Sequence, residues 1–229
     1  MDNANKRTAA AEALPLGIIL ALSGGLLDAY TYLIRGGVFS SMQTGNMLQV
    51  ALKLMQGEPL RALHYIPPIL AFAMGIWAAE AAISAWKGRG DIPWRQLTLG
   101  VEILLVTVTA FLPESMELLA NMLVAFVSAV QVESFRKVEG NPFASTMCTG
   151  NLRSGSEQLF RYWETRDKKA LSSAGCYFIV IAAFIASAAA GVPLCAALGQ
   201  KACLVCAGIL LVSLCVLTLT GKKQAETAA

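Results

Sequence analysis

Six apolar stretches dominate the pattern of hydrophobic and polar positions along the chain. They cover residues 13–34, 65–86, 96–112, 116–134, 170–190 and 202–220. A helix needs about 20 consecutive apolar residues to cross the hydrocarbon core of a bilayer. The third stretch is short, and the others come close to that length. The pattern therefore predicts six transmembrane helices joined by polar loops.

A short phrase occurs twice, each time after an apolar stretch and before a shorter, helix-like one. Residues 36–46 read GGVFSSMQTGN and residues 140–151 read GNPFASTMCTGN. With one gap opposite Thr146, seven of the eleven paired residues are identical. The phrase puts the first three apolar stretches in register with the last three. Since three crossings is an odd number, the second half must enter the membrane upside down.

The predicted fold is therefore an all-α polytopic membrane protein, with six transmembrane helices arranged as two inverted three-helix repeats plus short motif helices. A cytoplasmic tail of residues 1–12 precedes repeat one, residues 13–112. Repeat two, residues 113–220, precedes a second cytoplasmic tail, residues 221–229. The segments 46–56 and 151–164, which follow the two phrases, are too short to span. They can lie along the interface or be re-entrant, and the sequence leaves both readings open.

Composition and charge agree with this class. The chain has 229 residues, of which 56% are hydrophobic and 14% charged, with a mean hydropathy of +0.58. If the termini are cytoplasmic, fourteen of the eighteen Lys and Arg residues lie on the cytoplasmic side. The positive-inside rule therefore favours this orientation. The net charge of +3 follows largely from the same bias and gives no indication of nucleic-acid binding.

The two Thr-Gly-Asn triplets are candidate site residues. Glycine permits a backbone conformation that breaks a helix, and Thr or Asn side chains can accept from the free N–H groups of the next helix. Helix N-termini carry partial positive charge. Two of them, approaching from opposite sides, can form a polar site near the midplane. These residues are Thr44, Gly45 and Asn46 in the first phrase, and Thr149, Gly150 and Asn151 in the second.

Polar residues inside the apolar stretches complete the candidate pathway, because charges at bilayer depth usually face a bundle interior or a water path. Asp28 and Glu133 occupy comparable places upstream of the two phrases, and Gln131 lies beside Glu133. These three residues join the predicted pathway. Four further residues supply supporting charge, namely Arg35, Glu80, Glu102 and Arg136. The single histidine, His64, makes a zinc site unattractive, so neither a metal nor a cofactor is predicted.

A family resemblance rests on both halves. The first half carries Gly24, Gly25, Asp28 and Tyr32 ahead of the first phrase, and the second half carries Gln131 and the stretch 135–137 ahead of the second. This arrangement resembles the YoaK family of bacterial membrane proteins of unknown function over nearly the whole chain. The resemblance implies a multi-pass protein of the bacterial inner membrane, without a substrate or reaction. Residues 132–134 depart from the family pattern, which puts a general role for Glu133 in doubt.

Three functions fit these features. The first is a small-solute or ion transporter, or a channel-like protein, whose path runs between the inverted halves. The second is a membrane-embedded enzyme acting on a lipid-type substrate, with Asp28 and Glu133 as an acid/base pair and Arg136 or Arg153 holding a phosphate. The third is a non-transporting scaffold or regulator that uses the basic segment 136–169. The expected partners are the bilayer and an unknown small solute or ion. Both a monomer and a homodimer are compatible with the sequence.

Overall fold

The computed structural model describes residues 11–86 and 94–226, with side chains to Thr220. Most of the predicted N-terminal tail, the end of the C-terminal tail and the basic residues Lys87 and Arg89 lie outside the described residues. The helices, in chain order, are α1 (Leu14–Ile34), α2 (Gln43–Met55), α3 (Pro59–Leu63), α4 (Ile66–Trp86), α5 (Trp94–Thr109), α6 (Glu117–Ser134), α7 (Cys148–Thr165), α8 (Lys168–Leu198) and α9 (Cys203–Glu226).

All six predicted apolar stretches are helical, as α1, α4, α5, α6, α8 and α9. Four continuous helical segments of the described chain are long and apolar enough to cross a membrane: Leu14–Ile34, Pro59–Trp86, Glu114–Ser134 and Lys168–Thr220. The last segment contains both α8 and α9. The helix α5 has 16 residues, fewer than an upright crossing needs. The chain is therefore a helical membrane protein.

Helix ends follow local chemistry. Pro15 and Pro59 each lie in the first turn of a helix, where the missing N–H costs no hydrogen bond. The Asp167 side chain accepts from the backbone N–H of Lys169 at 2.9 Å and begins α8. Gly199 ends that helix with a φ of +54°, a conformation that glycine adopts without steric cost. This break separates α8 from α9 within one continuous apolar run.

The main helix contacts of the first half of the chain have counterparts in the second half. Exchanging the two halves pairs α1 with α6, α4 with α8, and α5 with α9. Helix α1 packs against α8 and α9, and correspondingly α6 packs against α4 and α5. The third helices, α5 and α9, pack against each other. Each of these contacts of the first half thus has a counterpart in the second.

Glycines allow the closest of these helix contacts. A Cβ atom on Gly25 of α1 would overlap the carbonyl oxygen of Phe184 and Oγ of Ser187 on α8. A Cβ atom on Gly191 of α8 would lie 2.7 Å from Cβ of Ala29. Small residues let backbones approach in membranes, where packing rather than the hydrophobic effect holds helices together. The α1–α8 contact is therefore backbone against backbone.

A small antiparallel hairpin departs from the all-α prediction. Its strands are β1 (Lys137–Val138) and β2 (Asn141–Pro142). Both residues of its two-residue turn, Glu139 and Gly140, have positive φ, at 48° and 75°, as a type I′ turn requires. The Glu139 carboxylate accepts from the backbone N–H of Leu14 at 3.0 Å. The hairpin therefore covers the start of α1, the opposite end from Arg35.

We expect Gly25→Ala to lower the stability of the protein by about 1–3 kcal/mol, because the added methyl group has no room against α8. Gly100 on α5 is the matched control, since a Cβ there meets no atom within 4 Å. Gly100→Ala is expected to stabilise by about 0.5–1 kcal/mol through reduced backbone entropy. Thermal unfolding midpoints in detergent measure both. An unchanged midpoint for Gly25→Ala would contradict the close contact.

Candidate functional site

The two repeated loops meet halfway along α1. The Ser41 hydroxyl of the first loop lies 3.2 Å from the carbonyl oxygen of Thr146 in the second. A Cβ on Gly24 would lie 2.5 Å from Cγ2 of Thr146, so only glycine allows this approach. Gly24 is the middle residue of α1, about 15 Å from either end at 1.5 Å per residue. The loops therefore converge at the depth where a spanning helix is farthest from water.

Asp28 is the ionisable group at this meeting point. Its side chain is 4% exposed. Oδ1 accepts from the Ser40 hydroxyl at 2.7 Å and from the Ser41 backbone N–H at 2.9 Å. Oδ2 accepts from the Ser41 hydroxyl at 2.6 Å. The first loop thus wraps the carboxylate with three neutral donors.

Gln131 takes the corresponding position in the second half. Its Nε2 donates to Oγ of Ser145 at 2.7 Å and to the carbonyl oxygen of Leu20 at 3.2 Å. Its Oε1 accepts from Ser23 Oγ at 3.1 Å. Ser145 pairs with Ser41 in the repeated phrase. Asp28–Ser41 and Gln131–Ser145 are therefore equivalent pairs, one with a carboxylate and one with an amide.

The expected equivalence of Asp28 and Glu133 is wrong. Glu133 pairs instead with Arg136, whose guanidinium also contacts Glu80 of α4. The Arg136 and Glu80 side chains are 56% and 51% exposed. The helical repeat explains the difference, because Glu133 is two residues beyond Gln131 and so points to another face of α6. Among the described hydrogen bonds and ion pairs, Asp28 and Glu133 share no partner.

Asn46 and Asn151 bind the backbone of their own loops. Asn46 Nδ2 donates to the carbonyl oxygen of Phe39 at 2.7 Å, and its Oδ1 accepts from the Phe39 N–H at 3.0 Å. Asn151 makes the same two bonds with Ala144, at 2.7 and 3.2 Å. Both side chains are buried. Each asparagine therefore satisfies an amide group of irregular backbone that lies away from water.

The remaining members of the triplets point away from the meeting point. Thr44, Thr149 and Gly150 are exposed, and Gly45 is half-buried. A Cβ on Gly45 would lie 2.8 Å from the Phe39 ring, so this glycine serves loop packing. The polar groups at the centre come instead from Ser40, Ser41, Ser145 and Thr146, together with Asp28 and Gln131. Sequence reasoning missed these hydroxyl residues, although one serine of the phrase is identical in both copies.

Cys148 begins α7 beside the site. Its side chain is half-buried. Burial, with a further contribution from the negative charge of Asp28, raises the pKa of the Cys148 thiol to about 11. Within residues 11–86 and 94–220, no three His, Cys, Asp or Glu side chains are grouped to hold a metal ion.

A family model described as "Protein of unknown function (DUF1275)" matches residues 16–216. The chain belongs to the DUF1275 family. This match confirms the resemblance to the YoaK family, which is of the DUF1275 type. The matched region includes both repeated loops, Asp28 and Gln131. No curated protein and no solved structure matches the chain.

Arg35 connects two helices in this DUF1275 chain and lies away from the repeated loops. Its side chain is fully buried. The guanidinium donates to the carbonyl oxygens of Thr109 and Leu112, each at 3.0 Å, and to the Tyr30 hydroxyl at 2.8 Å. Those carbonyls lie at and just after the end of α5, where helices carry partial negative charge. Arg35 therefore joins the end of α1 to the end of α5 and does not reach the loops.

Glu102 is a second buried carboxyl group of the DUF1275 chain. Its side chain is 1% exposed. Among the described residues, its Oε1 has no hydrogen-bond partner. It lies halfway along α5, which packs on α9 and α6. It is thus separate from the loops around Asp28.

We expect Asn46→Ala and Asn151→Ala to destabilise the protein by similar amounts, about 1–3 kcal/mol each, because each leaves buried backbone groups unpaired. Thr44→Ala and Thr149→Ala are matched controls next to them on exposed positions, and we expect changes within about 0.5 kcal/mol. Unfolding of the purified chain in mixed micelles measures all four. Larger losses at the threonines than at the asparagines would overturn this assignment.

Proposed function

We propose that this chain passes a small cation, or a small solute together with a cation, across the membrane at a site beside Asp28. The proposed protein is a transporter or channel-like protein whose path runs between its two halves. The proton is the smallest cation that fits this description.

One observation carries the proposal: a buried carboxylate whose partners are all neutral. Two hydroxyl groups and one backbone N–H bind Asp28. Within the described ranges, no Lys, Arg or His side chain forms an ion pair with it. An unpaired buried charge costs several kcal/mol. A proton or a metal cation removes that cost, and intramembrane carboxylates commonly mark such pathways.

Six crossings in two inverted halves are part of the proposal. The segment after α6 contacts α1 at Leu14 through Glu139 and at Gly24 through Thr146, whereas the first loop contacts it farther along, at Asp28. The two loops therefore approach the same point from opposite ends of α1. Together with the matched helix packing, this supports a pseudo-twofold axis in the membrane plane.

Re-entrant motif helices also belong to the proposal. Helix α7 starts beside the middle of α1, and a Cβ on its Gly155 would lie 3.1 Å from Cβ of Tyr177 on α8. Gly155 is seven residues after Cys148, and Tyr177 is seven residues before Phe184, which contacts Gly25. Equal spacing in opposite directions supports an antiparallel pair that runs from mid-depth to the surface. Irregular backbone is tolerated at such depth when protein surrounds it.

We further propose that both termini lie in the cytoplasm and that the membrane is a bacterial inner membrane. The orientation rests on the distribution of basic residues, and the membrane rests on the family resemblance. In this orientation the end of α1 that carries the buried Arg35 lies on the non-cytoplasmic side of the membrane. The hairpin at residues 137–142 then lies inside.

The test is cation flux into liposomes that contain the full chain and a pH-sensitive or cation-sensitive dye. We expect gradients of H⁺, Na⁺ or K⁺ to dissipate faster for at least one ion than in protein-free liposomes. Asp28→Asn keeps the shape and removes the charge, so its flux should fall to the protein-free level. Glu58→Gln, at a surface position on the loop before α3, should retain the wild-type rate.

Two results would contradict the proposed pathway. The first is flux of all three ions at the protein-free rate, with gradients of either sign, with the chain correctly inserted, and with or without each candidate solute present. The second is an equal loss of flux in Asp28→Asn and Glu58→Gln. A cation site at Asp28 requires a specific loss in the first variant only.

Topology gives an independent prediction. Reporter domains fused after residue 229 and before residue 1 should both report the cytoplasmic side, because six crossings return the chain to its starting side. A reporter inserted after Lys201, between α8 and α9, should report the opposite side. Termini on opposite sides would require an odd number of crossings and would exclude the inverted arrangement.

A further inference from the structure

The Ser41 hydroxyl faces two acceptors, one in each half of the protein. Its Oγ lies 2.6 Å from Oδ2 of Asp28 and 3.2 Å from the carbonyl oxygen of Thr146. We propose that Ser41 is a positioning residue that donates to Asp28 when this group is ionised and to the second loop when Asp28 carries a proton. Proton binding at Asp28 would then strengthen the contact between the two halves.

The argument starts from the single hydrogen of a hydroxyl group, which can donate to one acceptor at a time. An ionised carboxylate is the stronger acceptor, because hydrogen bonds to charged groups are shorter and stronger. The 2.6 Å distance to Oδ2 agrees with that choice. The Thr146 carbonyl then loses this donor. The ionised state therefore leaves the contact between the loops weak.

A proton on Oδ2 reverses the direction of the bond. The protonated carboxyl group becomes a donor to Ser41 Oγ, so the serine hydrogen is free to point at the Thr146 carbonyl. Oδ1 keeps both of its donors, the Ser40 hydroxyl and the Ser41 N–H. No other group has to move. One proton taken up at Asp28 thus yields one hydrogen bond between the halves.

The second half contains the same arrangement with a neutral side chain. Gln131 donates through Nε2 to Oγ of Ser145 at 2.7 Å, which is the direction that a protonated Asp28 would use toward Ser41. Gln131 cannot ionise, so the direction of this bond does not depend on pH. The second half is therefore fixed in the state that the first half reaches only with a proton bound.

The groups around Asp28 leave it as the group that titrates. The nearest titratable group of the second half is the thiol of Cys148, at the start of α7, and its raised pKa keeps it neutral. On α8, Phe184, Ser187 and Gly191 meet this part of α1, and none of them ionises. From α9, the Cys206 thiol faces the carbonyl oxygen of Ser23. The nearest basic residue on α1, Arg35, is engaged with the end of α5.

The test is a double-mutant cycle between Asp28→Asn and Ser41→Ala, read as the rate of maleimide labelling of Cys148 at one fixed pH. Peptide mass spectrometry of the full chain in lipid identifies the labelled thiol. Asp28→Asn imitates the protonated group, because its Nδ2 can donate to Ser41. It also removes a charge that slows thiol ionisation, and this second effect is present in both backgrounds and cancels in the cycle.

We expect the ratio of the Asp28→Asn labelling rate to the parent rate to be lower in the chain that retains Ser41 than in the Ser41→Ala background, by at least about twofold. Ser40→Ala is the matched control, since Ser40 also donates to Asp28 but has no bond to the second loop. Its cycle with Asp28→Asn should show no coupling at Cys148. If Ser41→Ala does not fold, Ser41→Gly removes the same hydroxyl. Rates that multiply independently in the Ser41 cycle overturn the proposal, as does equal coupling in the Ser40 cycle.

This inference rests on the proposed role of Asp28, but its experiment needs no transported ion. Coupling without cation flux would leave the Ser41 switch standing and contradict the transport function. Flux that depends on Asp28, without coupling at Ser41, would support the transport function and contradict the Ser41 switch. The two proposals therefore fail separately.

Discussion

The rest of the structure depends on satisfying irregular backbone and one carboxylate at the middle of a bundle. In lipid every backbone polar group needs an internal partner, because water is not available to replace one. Asn46 and Asn151 provide this for the two loops, each with a pair of bonds to one backbone unit. The first loop in turn supplies the three donors that bind Asp28. In the first half, Asn46, the loop that it holds and Asp28 therefore form one hydrogen-bonded unit.

The two halves share a geometry but differ in charge. A serine at the same place in each loop meets Asp28 in one half and Gln131 in the other. The arrangement occurs twice in the chain, and only the copy with Asp28 carries an ionisable side chain. Such a pair separates structural from electrostatic roles within one molecule. Whatever the second half needs from this contact, charge is not part of it.

The apolar stretches are properties of local sequence, so the helices could be predicted from them. Which side chains of a helix point toward the site could not be predicted in the same way. Glu133 looks equivalent to Asp28 by position, but it lies two residues after Gln131, an offset that turns a side chain by about 200°, and Gln131 makes the corresponding contact. The repeat singles out the triplet asparagines, and their bonds are local, to the backbone of their own loops. The serines near them contact the other half of the protein. That contact depends on the close approach of the second loop to Gly24, which is a tertiary feature.

The hairpin at residues 137–142 could not be predicted, because four strand residues carry too little pattern to detect. Its turn also places Glu139 at positive φ, which its residue type does not suggest.

The length of α8 has a consequence of its own. Its 31 residues extend for about 46 Å, against roughly 30 Å of hydrocarbon core. An upright α8 must therefore stand well clear of the lipid tails at one end or lean strongly to remain within them. Lys168 and Lys169 at its start favour the water-exposed end. If α8 stands upright, its first turns therefore extend beyond the hydrocarbon core with Lys168 and Lys169.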